Sequence, residues 1–309
     1  MVKDNCRWKK TDAYPIQVFG SLKVDSVKIT SWNPKTNDYA LTPDSERHGT
    51  KGTKIHVGTP RPYIRVQKGA TGTTDITNSE IAYLGYEGGL RGAGVGRTGL
   101  RYDGGDGSII RNNDIHHLWL GFYSNGVGGL VIENNHVHNN GYYGLDPHTG
   151  THDMIIRNNT VHDNGSIGII CSLNCYNISI ENNKVYNNAR TGIMFSRNMT
   201  NSVAKNNSVS NEDKCIFISQ SHNNEIYNNR VSACDIGIDL SAKSSKNTIY
   251  NNIIANSTKD IVLKKAGNGN KLYSNKIINT AGNISSTSTT AIENNNNKID
   301  YNDKDLSVY

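Results

Sequence analysis

Ile178-Ser179-Ile180-Glu181-Asn182-Asn183-Lys184-Val185 alternates apolar and polar residues, breaks at an Asn pair, and resumes on a valine. The pair recurs at Asn112-Asn113, Asn134-Asn135, Asn158-Asn159, Asn182-Asn183, Asn206-Asn207, Asn228-Asn229 and Asn251-Asn252, in steps of 22, 24, 24, 24, 22 and 23 residues. Each copy reads roughly Gly-Ile-x-x-Ser, a turn, Ile-x-Ile-x-Asn-Asn-x-Val, then another turn. Short alternating runs bounded by Asn and Gly are strands and tight turns, not helices. About three short strands per repeat predict one turn of a right-handed parallel β-helix, an all-β solenoid with coils of about 22–24 residues. The regularly spaced leucines of a leucine-rich repeat are missing. Asn suits the turn because it tolerates left-handed backbone geometry, and its amide can stack on the Asn of the next coil.

Outward from this repeat the pattern loosens. Residues 16–31 and 62–85 carry irregular strand pairs, read as the first coils of the same helix. Residues 33–60 form a polar insertion, and the Gly-rich run from Gly85 to Gly99 is a loop able to wall a groove. After Asn275 the pattern decays. The whole chain, 1–309, is therefore read as a single β-helix domain: irregular coils over 1–98, regular coils over 99–280, and a cap or tail over 281–309.

Composition agrees with a narrow core. Only 35% of the 309 residues are hydrophobic, which would fit disorder were Ile and Val not spaced so regularly. The net charge of +6 is spread along the chain, with no dense basic block and no nucleic-acid-binding motif, so nucleic acid is not expected as a partner. A polyanion of another kind fits the balance. Of the five cysteines, only Cys171 and Cys175 are close in sequence, and no CxxC metal spacing occurs. Cys171 falls in an apolar column and reads as a core residue; the redox compartment stays open. No apolar run approaches a membrane span, so membrane insertion is not expected. Met1-Val2-Lys3-Asp4 does not begin a signal peptide.

Counting from each repeat glycine separates two columns. Phe122/Ser124, Leu145/Pro147, Ile169/Cys171, Ile193/Phe195, Ile216/Ile218 and Ile238/Leu240 should point inward. Arg101/Asp103, Tyr123/Asn125, Asp146/His148, Ile170/Ser172, Met194/Ser196 and Phe217/Ser219 should point outward. Asp146 and His148 would then emerge together on one solvent face. They lie in residues 141–152, Gly-Tyr-Tyr-Gly-Leu-Asp-Pro-His-Thr-Gly-Thr-His, where the repeat is broken by a Tyr, an Asp, a Pro and a His.

Two other columns have bland explanations. His116, His138 and His162, followed by Tyr186, read as a stacked ladder, since no carboxylate or Cys in the pattern completes a metal-ligand set. Arg111, Glu133, Arg157, Glu181 and Lys205 alternate in sign and should stabilise stacking.

Tyr143-Gly144-Leu145-Asp146-Pro147-His148 resembles the Tyr-Gly-x-Asp-Pro-His signature of the mannuronan (alginate) C-5 epimerases, most densely over residues 99–200. The resemblance implies proton transfer at C5 by His148, with Asp146 and Tyr143 at the same centre, and Arg190 near the substrate carboxylate. It also implies an isomerase acting on an anionic polysaccharide outside the cytoplasm (extracellular, cell-surface or periplasmic), its leader removed before this chain begins. Three positions depart from the family: Thr149 where an acid follows the motif, Ser172 where the secreted enzymes have Asp, and Leu173 where the periplasmic type has Arg. The acidic nonapeptide repeats of the calcium-dependent members are missing and no acidic cage is evident, so no cofactor or metal site is expected; calcium stays open as a requirement without an evident site, and the reading leans to a calcium-independent enzyme.

The chemistry makes its own demands. A C5 proton lies α to a carboxylate, so its removal builds negative charge. A base near C5, a cation on the carboxylate and an acid on the opposite face are needed. His148 fits the base, with Asp146 fixing its tautomer. Tyr143 fits the acid. Arg190, then Arg101, then Arg197 are the candidate carboxylate partners, with Asn125 and Ser172 as further substrate contacts. A polysaccharide lyase shares the proton abstraction and is the closest rival. A non-catalytic polysaccharide-binding β-helix is the alternative of another class. A glycoside hydrolase would need several carboxylates together, but Asp103 and Asp239 are coils away from Asp146. A monomer is expected.

Overall fold

The computed structural model describes residues 14–40, 61–86 and 97–278, together with the backbone of three short strands, Ile284–Ser286, Glu293–Asn295 and Lys298–Asp300. Three parallel sheets, each of eleven strands among the described residues, run side by side, and successive strands of one sheet come from successive coils. The chain is a parallel β-helix. A fourth, two-stranded sheet pairs Trp32–Asn33 with Asp38–Tyr39; this is the start of the predicted insertion, whose residues 41–60 lie outside the described set. The Gly-rich loop falls outside it over residues 87–96. Strands reach Asp300, inside the stretch read as cap or tail. No helix among the described residues is long and apolar enough to cross a membrane.

The first sheet contains Leu120–Asn125, Leu145–His148, Ile167–Ser172 and Thr191–Ser196. The second contains the strand Ser179–Glu181, and the third Lys184–Tyr186. The inward columns are buried as read, and one continuous apolar cluster runs from Val18 to Ile277.

The two asparagines of each pair divide the work the sequence analysis gave to one. The first of each, such as Asn182 with φ 56°, turns the chain in the left-handed region. The second is buried and forms the ladder. Asn183 accepts from the amide group of Asn159 and donates to Asn207, each at 3.0 Å, and donates also to the Ile156 carbonyl at 3.0 Å. Carboxamides stacked in this way satisfy buried backbone groups at every turn.

The repeat glycine has a steric reason. A Cβ on Gly144 would stand 2.6 Å from the Gly168 carbonyl oxygen of the next coil, so no larger residue fits there. The alternating charge column forms on the second sheet: Glu133 pairs with both Arg111 and Arg157, and Lys205 with Glu181 at 2.8 Å. Cys215 and Cys234, far apart in sequence and left unassigned there, form a disulfide within the core, with Cα atoms 5.9 Å apart. Cys171 and Cys175 are free and buried.

Candidate active site

The strand Leu145–His148 pairs in full register with the preceding coil, Tyr123 opposite Asp146 and Asn125 opposite His148. Toward the next coil, Leu145 pairs with Ile169 and His148 with Ser172, and the pairing between them is interrupted. Pro147 sits in that gap and has no N–H for the ladder.

His148 is half-buried and well held. Its Nδ1 lies beside the Thr149 hydroxyl and 3.2 Å from the Tyr123 hydroxyl, and its ring stacks on Tyr123 at 5.3 Å. Its Nε2 lies 3.0 Å from Nη2 of Arg197, which also donates to the Ser172 hydroxyl at 2.7 Å. A guanidinium can only donate, so Nε2 carries the lone pair and Nδ1 the hydrogen. Burial, then the charges of Arg197 and Arg101, push the His148 pKa down to about 4. At neutral pH it is an uncharged base.

Asp146 departs from expectation. It is 1% exposed, and neither carboxyl oxygen has a hydrogen-bond partner. It therefore does not orient His148; Thr149, Tyr123 and Arg197 do that. The outward column is covered here because Tyr86, Trp119, Leu120 and Tyr123, with Tyr63, Tyr142 and Tyr143 against them, build a second apolar cluster over the sheet. Burial pushes the Asp146 pKa well above its ordinary value of 3.8. Tyr143, hydrogen-bonded to the Tyr142 hydroxyl at 3.0 Å, is raised by burial first and then by Tyr142, so its phenol keeps its proton.

The buried carboxyl has a measurable consequence. A carboxyl with a raised folded pKa keeps a proton that the unfolded chain releases above about pH 4, so its contribution to stability falls as pH rises through that window. Asp146→Asn, which ionises in neither state, should therefore be more stable than the wild type at neutral pH, by about 1.4 kcal/mol for each unit by which burial raises the folded pKa. The gap should close below pH 3.8, the ordinary Asp value. Thermal melts across pH would expose the idea as wrong if the gap did not change with pH.

The arginines rank differently from the sequence expectation. Arg190, placed first there, is exposed at the turn before Thr191 and makes no side-chain hydrogen bond or ion pair among the described residues. Arg197 follows the other end of that strand, about 20 Å farther along the sheet at ~3.3 Å per residue. Arg197 is the cation brought to His148. Arg101 is 6% exposed and tied to Asp103 at 2.7 Å, which also holds Arg65 at 2.7 Å. Its guanidinium lies over the Tyr123 ring, 4.7 Å from the centroid. Asn125 lines a neighbouring cleft of about 610 Å³, with Arg65, Lys68, Arg101, Asp103 and Gly126. Tyr123 and Thr149 were not assigned roles from the sequence. The signal for Tyr123 was its place in the outward column opposite Asp146.

Residues 64–231, and again 170–299, match the family described as right handed beta helix region. The chain belongs to the right-handed β-helix family. Within it, residues of this β-helix are 30% identical over 142 positions to a mannuronan C5-epimerase of Pseudomonas fluorescens, covering 43% of this chain and 24% of that protein. The chain thus spans about a quarter of that relative's length. A double mutant of the periplasmic alginate epimerase AlgG superposes with a TM-score of 0.80 at 21% identity, over 92% of this chain and 70% of that one. The Dettilon tailspike protein superposes with a TM-score of 0.62 at 16% identity, over 94% of this chain and 60% of that one. At these identities the structural likenesses speak for the fold alone.

Proposed function

We propose that this chain is an enzyme acting on a polyuronate, and specifically a mannuronan C5-epimerase converting β-D-mannuronate to α-L-guluronate residues within the polymer. One observation carries the reading: His148, in a Tyr-Gly-Leu-Asp-Pro-His coil on a β-helix groove, is neutral with its Nε2 lone pair facing a guanidinium. The similarity to a mannuronan C5-epimerase supports it.

Arg197 leaves Nε2 to pair with the uronate carboxylate, and Ser172 steadies it there. Nε2, freed, takes the C5 proton while Arg197 offsets the charge that builds on the carboxylate. Tyr143 supplies a proton to the opposite face, and solvent resets both groups. Asn125 and the arginine-lined cleft extend the groove for neighbouring sugars. An extracytoplasmic setting suits a polymer substrate, and the Cys215–Cys234 disulfide favours an oxidising compartment.

Polymannuronate incubated with the protein in D₂O and followed by proton NMR tests this. Guluronate signals with deuterium at C5 are expected, without the ultraviolet absorbance of unsaturated uronates. A rise in that absorbance would mean β-elimination, the lyase branch of the same half-reaction. Polymer binding with neither signal would leave a binding protein.

A further inference from the structure

On the third sheet, away from the groove strands, the described residues gather a second group of imidazoles. The register sets Asp114 opposite His136, and His116, His138 and His162 in one row on adjacent coils. His116, His138 and His162 stack as the sequence suggested, 5.1 and 5.2 Å apart. The ladder reading omitted His136 and Asp114. His136 lies across the row, its ring 4.1 Å from His138 and 4.8 Å from His162. One ring nitrogen from each of His136, His138 and His162 falls within 4.8 Å of the other two.

The partners of these rings decide which nitrogens are free. Asp163 holds Nδ1 of His162 at 2.6 Å, and Asn139 Oδ1 holds Nδ1 of His138 at 2.6 Å. Asp114 faces Nδ1 of His136 at 3.4 Å. A carboxylate or carbonyl oxygen accepts only, so Nδ1 of His162, His138 and His136 carries a hydrogen, and in a neutral ring Nε2 is left with the lone pair. Yet Nε2 of His136 and Nε2 of His162 face each other at 2.6 Å, and Nε2 of His138 faces Asp114 Oδ1 at 2.9 Å. Each of these Nε2 contacts needs a proton or a metal ion between its partners, and one metal ion shared by the three rings would satisfy them together.

We propose that His136, His138 and His162 bind a divalent transition metal through Nε2, with Asp114 as a fourth ligand or the acceptor of a metal-bound water. Imidazole favours zinc, copper and nickel over calcium or magnesium. Metal–nitrogen bonds of about 2.0–2.1 Å in a tetrahedral site set nitrogens ~3.3 Å apart, which small side-chain rotations would reach here. Asp163 and Asn139 act as the outer partners that orient ligating imidazoles. The bound metal would brace the two coils that carry the histidines, and the preceding coil as well where Asp114 ligates; the inference stands apart from the groove chemistry.

Tag-free protein stripped with EDTA and titrated with Zn²⁺ in a calorimeter is the test, with Cu²⁺ paramagnetic resonance reporting ligand type. One Zn²⁺ per chain is expected, at about micromolar affinity or tighter, with nitrogen coupling in the Cu²⁺ spectrum. His162→Ala and His136→Ala should each weaken Zn²⁺ at least tenfold, and Asp163→Asn about tenfold. His152→Ala, on a different turn, should bind as the wild type does. Circular dichroism of each metal-free variant checks the fold, and the 47% exposed His136 side chain makes His136→Ala the variant that decides should His162→Ala not fold. Wild-type protein that takes up no Zn²⁺, or uptake unchanged in His136→Ala, would overturn the site and leave a proton-sharing histidine ladder.

Discussion

His148→Ala is expected to lower turnover of polymannuronate about 10³-fold, in the middle of the range for loss of a general base, while polymer binding persists. The loss falls on kcat because Nε2 meets the C5 proton only in the reacting complex. Arg197, Ser172 and the cleft carrying Asn125 remain to hold the uronate chain. Stability should change little, since His148 is half-buried and its removal leaves only hydroxyls and a guanidinium that water can reach. The wild-type pH profile carries a second mark of the same group. A histidine whose pKa lies at about 4 in the folded protein stays a free base until the pH falls through that value. The acid limb of kcat/KM should therefore lie well below the ordinary histidine value of 6.5, and an acid limb at 6.5 would contradict the role given to Arg197. Turnover by His148→Ala within tenfold of wild type would remove His148 from the chemistry altogether.

Asn183→Ala should cost more stability than either substitution at Asn182, about 3–5 kcal/mol, as expected when a buried polar network is broken. Asn183 is 1% exposed. Removing its carboxamide leaves the Asn159 backbone N–H, paired at 2.9 Å, buried without a partner, and takes from the Ile156 carbonyl its side-chain donor at 3.0 Å. Each orphaned group costs about 1–3 kcal/mol. The neighbouring Asn182→Ala should cost only about 1–2 kcal/mol, since Ala lacks the short polar side chain that lets Asn occupy the left-handed region, and Asn182→Gly close to nothing. Urea midpoints of the three variants measure the difference. Equal losses at positions 182 and 183 would mean that turn geometry alone, without the amide ladder, holds the coils in stack.

Much of this was written in the chain. The recurring Asn pairs and the Ile and Val around them imposed the period, because parallel coils pair residue for residue and a repeated sequence must repeat its contacts. Inward and outward columns followed from strand alternation, and Tyr143-Gly144-Leu145-Asp146-Pro147-His148 marked the coil that carries the candidate chemistry. What the repeat could not convey was reach. Arg197 sits at a turn with φ 55°, a corner that reads as solvent-facing, yet its long side chain bends back over Ser172 to His148. Arg190, better placed by sequence, begins at the far end of the same strand. Asp146 alternates outward but is covered by tyrosines from other coils, and His136 joins His138 and His162 only because adjacent strands stack about 4.8 Å apart. Local pattern sets where a backbone goes; which side chains meet across coils depends on length, turn angle and what else covers the sheet, and those are settled only in three dimensions.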